Sequence, residues 1–119
     1  MVLHEVYSYD EVADAMFVSI PVDYEYDGVM KVDNGVFLEY DVDKLPKSIE
    51  IINASKKFDV EKEDLMNLQS LQLEFDINSD RICVKLDIKL KNESEMDLNQ
   101  HIDNNVKLHD VVNAVSIIQ

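Results

Sequence analysis

A chain of 119 residues with 46% hydrophobic and 30% charged residues has the length of one domain and the apolar content to bury a core, which argues against disorder. Its 25 acidic residues against 11 basic ones leave a formal charge of −14, which argues against binding to nucleic-acid phosphates or anionic lipid surfaces, both of which need lysine and arginine clusters. One cysteine and two glycines exclude an internal disulfide and a glycine-rich phosphate loop.

Residues 4–9 alternate, with Val6 and Ser8 on one side and Glu5, Tyr7 and Tyr9 on the other, which predicts a short strand. Residues 10–14 reverse the chain, and a second strand over 15–20 is stopped by Pro21, a residue that cannot donate to a ladder. A weaker strand over 24–32, interrupted at Asp27-Gly28, leads into Asp33-Asn34-Gly35. Asn-Gly accepts positive φ at little cost, so a hairpin with a strand over 36–41 is expected. A loop over 42–47 containing Pro46 precedes a further strand over 48–53.

The second half begins with Asp59, the expected N-cap of a short helix over 60–68, with Glu61, Glu63 and Asp64 near its positive end. Residues 71–77 and 81–90 alternate cleanly around Asn78-Ser79-Asp80. Leu71, Leu73, Phe75 and Ile77 fall on one face, as do Ile82, Val84, Leu86, Ile88 and Leu90, the pattern of an antiparallel hairpin with one buried side. Residues 91–105 are polar and read as a loop. In 106–118, Leu108, Val111, Val112, Val115 and Ile118 fit helical spacing, while the valine and isoleucine content favours strand; helix is the reading adopted. The expected fold is α+β: one domain over 1–119, dominated by a compact, mainly antiparallel sheet. It has one short helix after Asp59 and a second at the C-terminus, with 1–58 as a β-rich core and 59–119 as an extension.

Cys83 falls within an apolar alternation and is expected to be a buried, inert thiol. No apolar run preceded by positive charge opens the sequence and no stretch approaches membrane-spanning length, so a reducing cytoplasm is the expected compartment. No Gly-x-Ser-x-Gly elbow or other nucleophile context is present, and a non-enzymatic role is expected. His101 and His109 are eight residues apart, rotated by about 80° on a helix, and neither short His/Cys ligand spacing of a transition-metal site occurs.

Carboxylates gather near the expected strand ends at Asp23, Glu25, Asp27, Asp33, Asp41 and Asp43. Crowded carboxylates repel in a poorly screened site and Ca²⁺ relieves that repulsion. Asp23, Asp27, Asp33, Asp41 and Asp43 are therefore candidate ligands for weak Ca²⁺ binding, against solvated acidic turns as the alternative. No Asp-x-Asp-x-Asp-Gly loop accompanies them. Tyr24, Glu25, Tyr26 and Tyr40 form a second candidate set, because tyrosines beside carboxylates suit an arginine- or lysine-bearing partner through cation–π and ionic contacts. Strand propensity also accounts for the tyrosines.

The block Tyr9-Asp10-x-x-Ala13-Asp14-Ala15 followed by Met16-Phe17-Val18, then Val36-Phe37-Leu38-Glu39-Tyr40-Asp41 and Ile49-Glu50-Ile51-Ile52-Asn53-Ala54-Ser55, resembles the small prokaryotic DUF2283 family of unknown function. The resemblance covers residues 3 to about 58. It implies a compact β-rich domain and brings no catalytic residue set. Some members are thought to stand beside genes for small basic toxins, which implies an antitoxin or interaction role. Read from its own residues, Asp10 ends a strand with a carboxylate able to accept N–H groups of the following turn, and Asp14 either satisfies another N–H or faces solvent. The expectation is an acidic cytoplasmic interaction module that binds a basic protein, antitoxin-like at best. The alternative is a weak Ca²⁺-binding protein. No other cofactor, nucleic acid or membrane is expected, and a homodimer through sheet edges stays open.

Overall fold

The computed structural model describes residues 6–118. Within them the chain runs β1 (Tyr7–Asp10), β2 (Ala15–Ser19), β3 (Tyr26–Asp33), β4 (Val36–Asp41), β5 (Pro46–Ile51), α1 (Ala54–Phe58), α2 (Lys62–Met66), β6 (Leu68–Ile77), β7 (Arg81–Leu90), β8 (Glu95–Asp103) and β9 (Val111–Ile118). His4 and Glu5, the start of the first expected strand, lie outside the described residues.

The strands form two antiparallel sheets and not one. The first has the order β1-β2-β5-β4-β3 and the second β8-β7-β6-β9. Period-two alternation explains both. Met16 and Val18, Val36 and Leu38, and Ile49 and Ile51 are fully buried on one side of the first sheet. Leu73 and Phe75, and Ile82, Val84 and Leu86, are equally buried on one side of the second. These residues belong to a single apolar core. Burying each such side chain favours folding by about 1.5–3 kcal/mol, an upper bound because denatured chains are already partly collapsed.

The hairpin across Asp33-Asn34-Gly35 forms as the sequence predicts, with Gly35 at φ 71° and β3 paired to β4. So does the long β6–β7 hairpin, in register from Ser70↔Lys89 to Ile77↔Ile82, with a bulge between Leu68 and Ser70. Three expectations need correction. Residues 106–118 form no helix: 111–118 are strand β9, paired to β6 from Ser70↔Ile118 to Ile77↔Val111. β-branched residues lose χ1 freedom in a helix, and β6 offered a free ladder.

Residues 91–105 are not a loop throughout. Glu95–Asp103 is β8, in which Met96, Leu98 and Ile102 turn toward the core while charged neighbours face out. The helix expected over 60–68 is also shorter and differently capped. Asp59 closes α1 in the left-handed region, at φ 55°, and the N-terminus of α2 is fastened by the Glu61 N–H donating to Asp64 Oδ2 at 3.2 Å. With helices of only five residues each, the chain is more β-rich than an α+β fold.

Few polar contacts join the two sheets, and they are specific. Asp33 Oδ2 on β3 accepts from Gln100 Nε2 on β8 at 3.0 Å. The His109 N–H donates to the Lys44 carbonyl at 2.9 Å. Within the second sheet, buried Asn104 ties two connections together: Nδ2 donates to the carbonyls of Asn78 and Leu108, both at 2.9 Å, and Oδ1 accepts the Leu108 N–H at 2.8 Å.

Candidate functional site

Asp10 and Asp14 flank the first turn and do different work. Asp10 Oδ1 accepts the N–H groups of Val12 and Ala13 at 3.0 and 3.1 Å, a local Asx-turn. Asp14 is buried in the left-handed region, at φ 53°. Its Oδ1 accepts the Tyr9 hydroxyl at 2.7 Å and the Ser55 N–H at 3.0 Å, and its Oδ2 accepts the Ser55 hydroxyl at 2.7 Å. The Asp14 carbonyl accepts the Ala54 N–H at 2.9 Å. Asn53, at the N-cap of α1, makes no side-chain capping bond, so Asp14 caps that helix from a distant turn, satisfying donors that would otherwise be orphaned.

Burial alone would raise the Asp14 carboxyl; the bonds from Tyr9 and Ser55, with the Lys62 charge, outweigh it and hold the carboxyl below its ordinary value. Burial, then the bond to Asp14, pushes the Tyr9 hydroxyl well above the ordinary tyrosine value. Tyr7 likewise turns inward, its hydroxyl donating to the Leu65 carbonyl of α2. The two tyrosines of β1 thus fasten the helical connector.

Three of the five Ca²⁺ candidates are paired with lysines. Asp27 Oδ2 pairs with Lys44 Nζ at 2.5 Å. Asp33 Oδ2 pairs with Lys57 Nζ at 3.0 Å, and the bond from Lys57, with the Asn34 N–H, holds its carboxyl below the ordinary value. Asp41 is buried, accepts the N–H groups of Asp43 and Leu45 at 2.9 and 3.0 Å, and has Lys47 Nζ at 3.5 Å. Asp23 and Asp43 are exposed. Among the described residues no group of three or more His, Cys, Asp or Glu side chains is arranged to hold a metal ion.

The tyrosine set is split. Tyr24 is half-buried and its hydroxyl donates to Glu39 Oε1 at 2.5 Å. Burial, then Glu39, raises its pKa. Tyr40 lies across its cross-strand neighbour Gly28, where any Cβ would meet the Tyr40 hydroxyl and ring, so the ring covers an edge glycine. Lys44 Nζ sits 5.0 Å from the Tyr40 ring centroid, within cation–π range. Of the three tyrosines Tyr26 is the exposed one, at 55%; Val42, at 47%, donates its N–H to the carbonyl of Glu25, the residue before Tyr26, at 3.0 Å. Glu25 and Asp43 stand exposed beside them with no ion-pair partner among the described residues. Tyr26, Val42, Glu25 and Asp43 are thus all exposed at the far end of the β3–β4 hairpin.

The geometry places the Tyr-Asp-x-x-Ala-Asp-Ala block and the Ala-Ser pair in contact, and the family comparison covers the same stretch. Residues 7–55 match the family model described as "Protein of unknown function (DUF2283)". That stretch of the chain is similar to the DUF2283 family. No curated protein and no solved structure matches the chain. The DUF2283 segment spans all five strands of the first sheet and ends on Ser55, the residue that Asp14 holds. Within it, Asp10 and Asp14 are accounted for by capping.

One pair outside the DUF2283 segment escaped sequence reasoning. Cys83 is not a buried thiol but half-exposed on the outer face of the second sheet, with Sγ 3.1 Å from Nδ1 of its cross-strand neighbour His101. The buried apolar residues of the alternation lie at 82, 84 and 86, so position 83 faces outward. His109 does not join this pair: the described residues hold no three-ligand His/Cys cluster.

Proposed function

We propose that the chain is a non-enzymatic, cytoplasmic interaction module that receives a basic segment of another protein at the Tyr26 tip, with an antitoxin as the most specific form of that role. The observation that carries it is the pairing of an exposed ring with carboxylates that have no ion-pair partner among the described residues, Tyr26 with Glu25 and Asp43. An aromatic ring contributes desolvated area and a cation–π face, while unpaired carboxylates supply complementary charge. Lys44, by contrast, already occupies the Tyr40 ring and the Asp27 carboxylate, which leaves those groups less to offer. The formal charge of −14 adds long-range attraction for a cation-rich segment.

The test is titration of a lysine- and arginine-rich peptide with interspersed aliphatic residues into the isotope-labelled chain, followed by backbone amide shifts. Saturable shifts are expected at residues 23–28 and 40–43, with Tyr26→Ala weakening binding about tenfold, the loss of an anchoring aromatic worth about 1.4 kcal/mol. Shifts spread evenly over the acidic surface, unaffected by Tyr26→Ala, would count against the reading.

A further inference from the structure

Every open sheet has edges whose unpaired N–H and C=O groups invite another strand, and proteins usually blunt them. Three of the four edges here are blunted. β1 is four residues long. β3 is broken by register shifts between Tyr26 and Gly28 and between Lys31 and Asp33, and carries Asp27, Lys31 and Asp33. β8 carries Glu95, Asp97, His101 and Asp103 along its nine residues.

The fourth edge has no such device. β9, Val-Val-Asn-Ala-Val-Ser-Ile-Ile, runs for eight residues without a charge, a proline or a glycine. One side of its ladder is taken by β6, and among the described residues no strand pairs with the other. Val112 is 71% exposed, and Val111 and Val115, which pack on the core, are only partly buried. Removing Val112 from water and completing the burial of Val111 and Val115 requires a neighbour on that edge.

We infer that β9 is a self-association strand, pairing antiparallel with β9 of a second copy so that two four-stranded sheets become one. The charge distribution selects this occupant. Two copies each carrying −14 repel, and at β3 or β8 carboxylates of one copy would meet those of the other. Along β9 none do. Keeping the inner and outer faces continuous requires residues of equal parity to be opposite, and the register centred on Ala114 meets this. It sets Ala114 against its counterpart, Val112 against Ser116 and position 111 against 117. Asp110, the nearest carboxylate before the strand, then lies opposite position 118. Its counterpart is about 27 Å away at ~3.4 Å per residue, beyond the ~8 Å screening length of physiological salt. An uncharged strand offers a basic foreign segment no electrostatic advantage, whereas it matches itself in both shape and polarity. This inference does not depend on the Tyr26 tip.

Sedimentation of the full chain from about 1 to 300 μM tests it. A monomer–dimer equilibrium is expected, with the dimer fraction rising between 0.05 and 0.5 M NaCl as repulsion between copies is screened. Ala114→Lys and Val112→Lys, both at exposed positions, each weaken dimerisation at least tenfold while leaving the circular-dichroism spectrum unchanged. Ala114→Cys, in a Cys83→Ser background, forms a disulfide-linked dimer under mild oxidation, since opposed strand positions fall within disulfide reach. A monomer at every concentration, a dimer indifferent to both lysine variants, or a dimer in which Ala114→Cys does not cross-link would overturn the inference. Capture of a foreign strand by an otherwise monomeric chain would overturn it as well.

Discussion

Asp14 and Ser55 are 41 residues apart in sequence, yet their side chains meet at 2.7 Å, so the DUF2283 block reads as a fastening whose second half lies at the end of the family segment. Asp14→Ala leaves the Tyr9 hydroxyl and the Ser55 N–H without their acceptor, and a loss of about 2–4 kcal/mol is expected by denaturant unfolding. Asp14→Asn keeps an acceptor and suits the positive φ of 53°, so it costs less. The sign of the pH effect follows from the depressed carboxyl. A group that ionises more readily folded than unfolded stabilises the fold fully above the unfolded aspartate value of about 3.9, and that contribution is lost as pH falls through the folded value. Stability of the wild type should therefore drop more steeply than that of Asp14→Asn below about pH 4; equal slopes would show that Asp14 is not the group responsible. Gly28 makes a second expectation at this scale. An alanine there drives its Cβ into the Tyr40 ring, so Gly28→Ala should cost about 1–3 kcal/mol and displace Tyr40 from Lys44, read as a change in Tyr40 ring shifts by NMR.

At the scale of elements, legibility followed the range of the deciding contact. The β6–β7 hairpin was visible because its alternation and its turn, Asn78-Ser79-Asp80, are contiguous, and the Asp10 turn was visible because its donors lie two and three residues on. β8 was missed because its polar composition outweighed the apolar beat at Met96, Leu98 and Ile102, which face the core. β9 was misread because 108, 111, 112 and 115 satisfy a helical period, and only the vacant edge of β6, far earlier in the chain, decides for strand. Asp27, Asp33 and Asp41 each pair with a lysine, from residues 44, 57 and 47, which spacing does not reveal. Protection should follow the same ladder logic. β6 and β7 have neighbours on both sides, so their amides should exchange slowest, at rates near the global unfolding limit. Those of α2, one turn long, should exchange orders of magnitude faster; uniform exchange across the second sheet and α2 would contradict this.

At the scale of the whole molecule, two electrostatic effects of opposite sign meet, and salt separates them. The ion pairs Lys44–Asp27 and Lys57–Asp33 are partly exposed contacts, each contributing about 0–1 kcal/mol that salt weakens, while Lys47–Asp41, with its buried carboxylate, is screened less. Against them stands the mutual repulsion of a chain with a formal charge of −14, which opposes compaction and which salt relieves. With 25 acidic residues to 11 basic, most carboxylates have no cation to lose, so screening removes more repulsion than attraction. The melting temperature at neutral pH should therefore rise by a few degrees between 0.05 and 0.5 M NaCl, a shift of about 1 kcal/mol for a domain of this size, with the denaturant midpoint moving the same way. Binding of a basic segment at the Tyr26 tip should weaken over the same range, because there salt screens an attraction. A melting temperature that falls with NaCl would mean that the paired lysines, not the surplus carboxylates, dominate the molecule's electrostatics, and the case for a cation-rich partner would lose its long-range half.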